Sequence, residues 1–242
     1  MAYAVLKGPL GNQTINYGQL PDTTSRQVPG MIVDAVDNFW GGGEFIYCKS
    51  GGSIRQFGLV TILQTIVSGQ VVYTATEVTN TANLGRMVGV ATTSSTVGQF
   101  QWVQISGTVP ANCQAAVAAD TAWGIAAAGQ GGANSAGKQI LNSRSVIASS
   151  TTSAKTNCTA NSGSLILNVP NSDGWFVGAY LSGTGIAAAT TVVSIDPSGT
   201  VVTLSAATTA AVNGTVTATY NNATIFYNVV HLNRSFAQGA IT

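Results

Sequence analysis

Charge is what this chain has least of. Its 242 residues include 9 Lys+Arg, 8 Asp+Glu and one His, so charged side chains make up 7% of the total and the formal net charge is +1. An average globular protein carries roughly 25% charged residues. Nucleic acid is therefore not an expected partner, because affinity for phosphate comes mainly from clusters of Lys and Arg, and those here are scattered from Lys7 to Arg234. Cysteine is scarce too. Cys48, Cys113 and Cys158 are odd in number, far apart and in no C-x-x-C arrangement, which argues against a disulfide framework and a zinc site and leaves three small buried side chains. No apolar run approaches the roughly eighteen residues of a spanning helix, so no membrane partner is expected. The start, from Met1 to Pro9, has no charged segment followed by a long apolar core; a secretory signal is not expected, and synthesis in a cytoplasm is.

Hydrophobic residues are plentiful at 45%, enough to exclude a disordered chain. A soluble protein with so little charge tends to associate, so its surface is read as made for partners or dressed with hydroxyls and amides. Residues 1–30 are punctuated by Gly8, Pro9, Gly11, Gly18, Pro21, Pro29 and Gly30, which stops helices and long strands from propagating. An extended N-terminal arm is the expectation, and its Tyr3, Leu6, Leu10, Ile15, Tyr17 and Leu20 need a surface to bury against. That surface is either a neighbouring molecule or the chain's own core.

From Met31 onward, β-branched and aromatic residues come in short runs broken by glycine, among them Phe45–Cys48, Phe57–Val67, Val71–Val78, Met87–Ala91 and Phe100–Ile105. These predict strands. Leu59–Val67 is apolar on both faces, which predicts a central strand or one covered on its outer side by another chain. The alanine-rich stretch Ala115–Ala128 predicts one short helix. Around Ser149–Ser153, and again at Asn221-Asn222, the composition turns small and polar, so residues 151–221 read as an inserted or protruding β module. Within it Asp196-Pro197-Ser198-Gly199 has the residues of a type I turn joining Val192–Ile195 to Thr200–Leu204, and Thr215–Tyr220 alternates hydroxyl and apolar groups like a half-exposed strand. The apolar run Thr224–Leu232 is too short to stand alone and is expected to return to the first sheet. The fold expected is all-β: a barrel-like or sandwich-like main domain of residues 31–150 plus 222–242, an arm of residues 1–30, and the small module.

Catalytic chemistry finds little to work with. A serine nucleophile needs a base beside it, and the one histidine, His231, reads as part of a strand face. The acidic residues closest to aromatic neighbours are Asp34, Asp37, Glu44 and Glu77; Asp34 and Asp37 fall on opposite faces of an extended segment and read as turn or loop residues. The glycine-rich spots Gly41–Gly43 and Gly129–Gly132 lack the Lys-Ser/Thr of a phosphate loop. No catalytic residue, metal or cofactor is expected. What remains is aromatic contact area: Phe39 with Trp40, and Trp175 with Phe176, sit at loop edges and are candidate interface residues beside the apolar groups of the arm.

Three strings, Pro29-Gly30-Met31-Ile32-Val33-Asp34, Gly85-Arg86-Met87-Val88-Gly89-Val90-Ala91 and Gly98-Gln99-Phe100-Gln101-Trp102-Val103-Gln104-Ile105-Ser106-Gly107, together resemble the head decoration, or cement, proteins of tailed bacteriophages. The resemblance covers about half the chain, Pro29 to Ala148, and the module after it is similar to β-rich appendages of phage structural proteins. It implies a non-enzymatic protein on the outer surface of the virion's capsid, commonly a homotrimer, that bridges subunits of the major capsid protein. The alternative is a glycan-binding or adhesion module with tryptophans stacking on sugars.

Overall fold

The computed structural model describes all but residues 1, 8–13, 17–19, 38, 149–150, 221–225 and 241–242, and the backbone alone of residues 2–7, 14, 16 and 37. The described residues form strands and no helix: β1 (Ala2–Lys7), β2 (Thr14–Asn16), β3 (Ile32–Asp37), β4 (Gly41–Ser50), β5 (Leu59–Val67), β6 (Gln70–Glu77), β7 (Met87–Ala91), β8 (Phe100–Cys113), β9 (Trp123–Ala127), β10 (Gln130–Ala133), β11 (Ile140–Ile147), β12 (Thr152–Ala160), β13 (Ile166–Asn168), β14 (Tyr180–Ser182), β15 (Val192–Ile195), β16 (Val201–Leu204), β17 (Val212–Thr219) and β18 (Phe226–Ala237). The fold is all-β. The chain divides into a large unit, Tyr3–Ser149 with Ile225–Thr242, and a small one, Ser150–Thr224 with Met1–Ala2.

In the large unit five strands pair in a circuit that returns to its start. β4 pairs antiparallel with β8, β8 with β7, β7 with β5 and β5 with β6, and β6 runs parallel to β4 through Lys49↔Thr74 and Ser50↔Ala75. Alternate residues of these strands make one core: Ile46 and Cys48, Val60 and Ile62, Ala75, Ala91, and Val103 with Ile105, joined by Ile54 from a loop. The other side of the strands is buried as well at Phe45, Tyr47, Leu59, Val88 and Val90. Strands apolar on both faces are what such double coverage requires.

β8 is long enough to serve two partners. Its first half pairs with β4 and its second half with β18, and Gly107 stands at the change, opposite Gly43 on one side and Leu232 on the other. The bend uses a backbone conformation open to glycine, φ +95°, and a Cβ there would meet the Gly42 carbonyl. The buried Gln104 side chain donates to the carbonyls of Ser106 (3.0 Å) and Thr108 (3.3 Å) across the bend. β18 also pairs with β11 and touches β7 through Phe236↔Met87.

The helix expected over Ala115–Ala128 does not form. Trp123–Ala127 is β9, paired antiparallel with β10, and Trp123 is buried with its ring against Gly131, where any Cβ would collide with it. Burying an indole outweighs the modest helix propensity of a few alanines.

The small unit is one six-stranded sheet in the order β14-β17-β12-β13-β16-β15. One face is apolar, with Leu167, Val202, Val216 and Ala218 buried beside Trp175, Phe176 and Tyr220. The hydroxyls of Thr215, Thr217 and Thr219 alternate with those buried positions along β17. β15 and β16 form a hairpin whose turn is closed by the Gly199 N–H donating to the Asp196 carbonyl at 2.9 Å. The Asp196 carboxylate also accepts N–H bonds from Thr200 and Val201; hydrogen bonds from Ser198, and then from these amides, hold its pKa below the usual range.

Candidate interaction surface

The nine residues singled out as interface candidates have separate fates. Ile15 is buried, and so are Trp40, Trp175 and Phe176. The last two belong to the small unit's own core: Trp175 Nε1 donates to the Ser153 carbonyl at 3.0 Å, and the Phe176 ring lies 5.2 Å from that of Tyr220. Their loop-edge positions misled, because a loop can fold its aromatics inward when a sheet face needs covering. Within the chain as described they offer no outer surface. Phe39 is 46% exposed and meets Trp40 edge to face. Tyr3 and Leu6 lie on β1, but their side chains, like Leu10 and Tyr17, fall outside what is described.

The described part of the arm lies on its own unit. β1 pairs antiparallel with β3. Asp22 and Phe100 exchange backbone hydrogen bonds at 2.8 Å each, and the Tyr47 hydroxyl donates to Asp22 Oδ2 at 2.5 Å. Burial first, and then this carboxylate, push the Tyr47 phenol's pKa up. A second anchor follows where the Gly30 N–H donates to the Tyr47 carbonyl at 2.7 Å and the Tyr47 N–H to the Met31 carbonyl at 2.9 Å. Between the anchors the Arg26 N–H donates to the Tyr47 hydroxyl at 3.3 Å, and residues 25–29 form one wall of a groove whose other wall is residues 70–72 of β6.

Of the carboxylates weighed for catalysis, Glu44 and Glu77 are tied up in ion pairs, and the Asp37 side chain falls outside what is described. Asp34 and Glu44 are direct cross-strand neighbours on β3 and β4, a like-charge pair that is unfavourable unless compensated. Arg234 compensates it, donating from Nε and Nη2 to Glu44 at 2.9 and 2.6 Å, which holds the Glu44 carboxyl below its usual pKa range. Arg55 grips Glu77 the same way, from Nε and Nη2 at 2.9 Å each. His231 is exposed on β18, its Nδ1 3.4 Å from the Thr108 hydroxyl. Among the described residues no three His, Cys, Asp or Glu side chains gather as metal ligands. Burial pushes the Cys48 and Cys113 thiols up to about 12, so both are protonated and inert at neutral pH. Trp123 is buried as fully as Trp175, so three of the four indoles lack an open face for a sugar to stack on.

The exposed apolar groups that stand together are ones the sequence reading did not single out. Ile66 is 77% exposed, Val67 56% and Val71 53%, all at the outer end of the β5–β6 hairpin. The hairpin turns on Ser68 and Gly69, both with positive φ (52° and 79°), between the paired residues Val67 and Gln70. That is the two-residue turn whose twist suits a hairpin. Val28, 70% exposed, sits across the groove. The signal was present in Leu59–Val67, apolar on both faces: its first four residues are buried between β6 and β7, and its last four are in solvent.

No protein-family model matches the chain, and no curated protein and no solved structure matches it.

Proposed function

We propose that this protein is a structural component of a tailed-phage virion. It decorates the outer surface of the capsid, bridges subunits of the major capsid protein, associates with copies of itself and catalyses no reaction. The observation that carries the reading is the outer end of the β5–β6 hairpin, where Ile66, Val67 and Val71 stand exposed in a stretch with no charged residue between Arg55 and Glu77. Contiguous apolar surface on a folded domain marks a place where another molecule sits. The strings that resemble cement proteins fall on β3, β7 and β8, two of them strands of the closed circuit, so the resemblance lies in the scaffold that presents the hairpin.

Docking of this kind draws on apolar area and neutral hydrogen bonds, so salt screens little of it. The test is to mix the purified protein with expanded, undecorated heads, sediment them, and image the pellet by electron microscopy at low and high salt. Regular added density on the outer surface at both salt concentrations is expected, with heads that then withstand heat and osmotic shock better. Heads that sediment bare, or binding that collapses as salt rises, would overturn the reading.

A further inference from the structure

The β5–β6 hairpin is paired on its outer edges only near its base. Leu59–Ile62 pair with β7, and Thr74 and Ala75 with β4. Beyond them, among the described residues, Leu63–Val67 and Gln70–Tyr73 pair only with each other. A lone two-stranded ribbon is marginal in water, and proteins usually blunt such open edges with Lys, Pro or a bulge. This ribbon has none of these. Its register runs unbroken from Val60↔Glu77 to Val67↔Gln70, and its backbone N–H and C=O groups face outward on two sides.

The side chains continue the core into solvent. Val60, Ile62, Gln64 and Ile66 alternate onto one face of the ribbon, and Ala75, Tyr73 and Val71 share that face across the register. Val60, Ile62 and Ala75 are core, with Tyr73 packed at its margin. Ile66 and Val71 extend the same apolar strip past the end of the circuit.

We propose that copies of this chain join through the ribbon: the open β5 edge of one copy pairs antiparallel with the open β6 edge of the next, entering the groove beside residues 25–29, and three or more copies close a ring with Ile66 and Val71 turned to its interior. Two open edges on one ribbon need two strands. A foreign strand covers one and leaves the other bare, whereas a second copy offering β5 to β6 uses both, and head-to-tail contacts of this type end by closing a ring. Rotation about an axis along the ribbon keeps strand direction, so β5 meets the neighbour's β6 antiparallel, as it meets its own. Like-charge repulsion does not oppose the contact, since the ribbon carries no charge.

The inference deepens the self-association in the reading above and needs no capsid: Ile66 and Val71 are taken up between copies, while Val67, on the opposite face of the ribbon, stays outward for the shell. The full chain is sized by light scattering over a range of concentrations, alongside Ile66→Lys with Val71→Lys as the interface variant and Val97→Lys as the control, Val97 being 71% exposed elsewhere in the large unit. The native chain and the control are expected at three or more copies, and the double variant as a monomer with an unchanged circular dichroism spectrum. A native chain that is monomeric or strictly dimeric overturns the proposal, as does a double variant that stays assembled. If the double variant does not fold, hydrogen exchange on the native chain decides: slow exchange of the Gln64, Ile66, Val71 and Tyr73 amides, which point out of the ribbon, supports edge pairing, and fast exchange refutes it. Failure here leaves docking on heads to its own sedimentation test, and bare heads there leave this ring standing.

Discussion

The two halves of the β5–β6 hairpin are written in nearly the same residues and live in opposite surroundings. Near the base, Val60, Thr61 and Ile62 are buried; toward the tip, Thr65, Ile66 and Val67 are in solvent. Propensity and hydropathy do not separate them. The neighbours on either side do: the base lies between β7 and β4, and the tip has only its own partner strand. Burial of a strand is thus a property of the circuit it joins, and an apolar run that outlasts its circuit becomes a surface.

The hardest blow to that contrast is Gly107→Ala. Alanine at φ +95° is strained, and its Cβ meets the Gly42 carbonyl, so β8 has to pull away from β4 or from β18. A loss of about 3 kcal/mol or more is expected in denaturant unfolding, with the amides of residues 59–62 exchanging much faster than in the native chain. A mild effect would mean that the circuit is not what buries the base. Next in size is a matched pair read in the Val71→Lys background, chosen to weaken the contact between copies. Ile62→Ala should cost about 3 kcal/mol and Ile66→Ala less than about 0.5 kcal/mol. Equal costs would erase the distinction.

Much of the strand content was legible. Thr215–Tyr220 alternates as β17 does, and the Asp-Pro-Ser-Gly turn stands between β15 and β16, because both signals are local: a period of two, and turn residues fixed by their own backbone. Signals that depended on distant partners were not. Ala115–Ala128 looked helical until Trp123 found Gly131, and Trp175 looked available until the small sheet covered it. Leu59–Val67 was read as a single strand with one fate because the sequence does not say where β7 stops pairing with it. The site followed the same rule. Aromatics drew attention as contact area, while the aliphatic tip, whose strand reads as central or covered by another chain, was not singled out as a surface.

At the far end of the circuit an ion pair holds the junction where β4, β8 and β18 meet, and acid should loosen it. Glu44 titrates below its unfolded value because Arg234 donates to it. The pair's contribution is therefore complete above about pH 4.3, the ordinary glutamate range, and is lost as pH falls through the lowered folded value. Glu44→Gln should melt lower than the native chain at neutral pH and at the same temperature in strong acid. A difference that persists in acid would trace the loss to packing and not to charge. The effect should be smaller than either substitution above, since the guanidinium is largely in solvent and exposed pairs contribute little.

The smallest effect should come from the tip itself. Ser68 occupies a left-handed position that Asn tolerates better than Ser, and Asn-Gly is the sequence this turn prefers. Ser68→Asn should therefore steady the ribbon by about 0.5 kcal/mol. If, in the Val71→Lys background, the tip opens separately from a stable base, the gain appears as slower exchange of the amides of residues 66–71, with no change in the global melting temperature. A rise in global stability would instead mean that tip and base unfold together, and that the boundary at Leu63, where β7 lets go, is no boundary in energy.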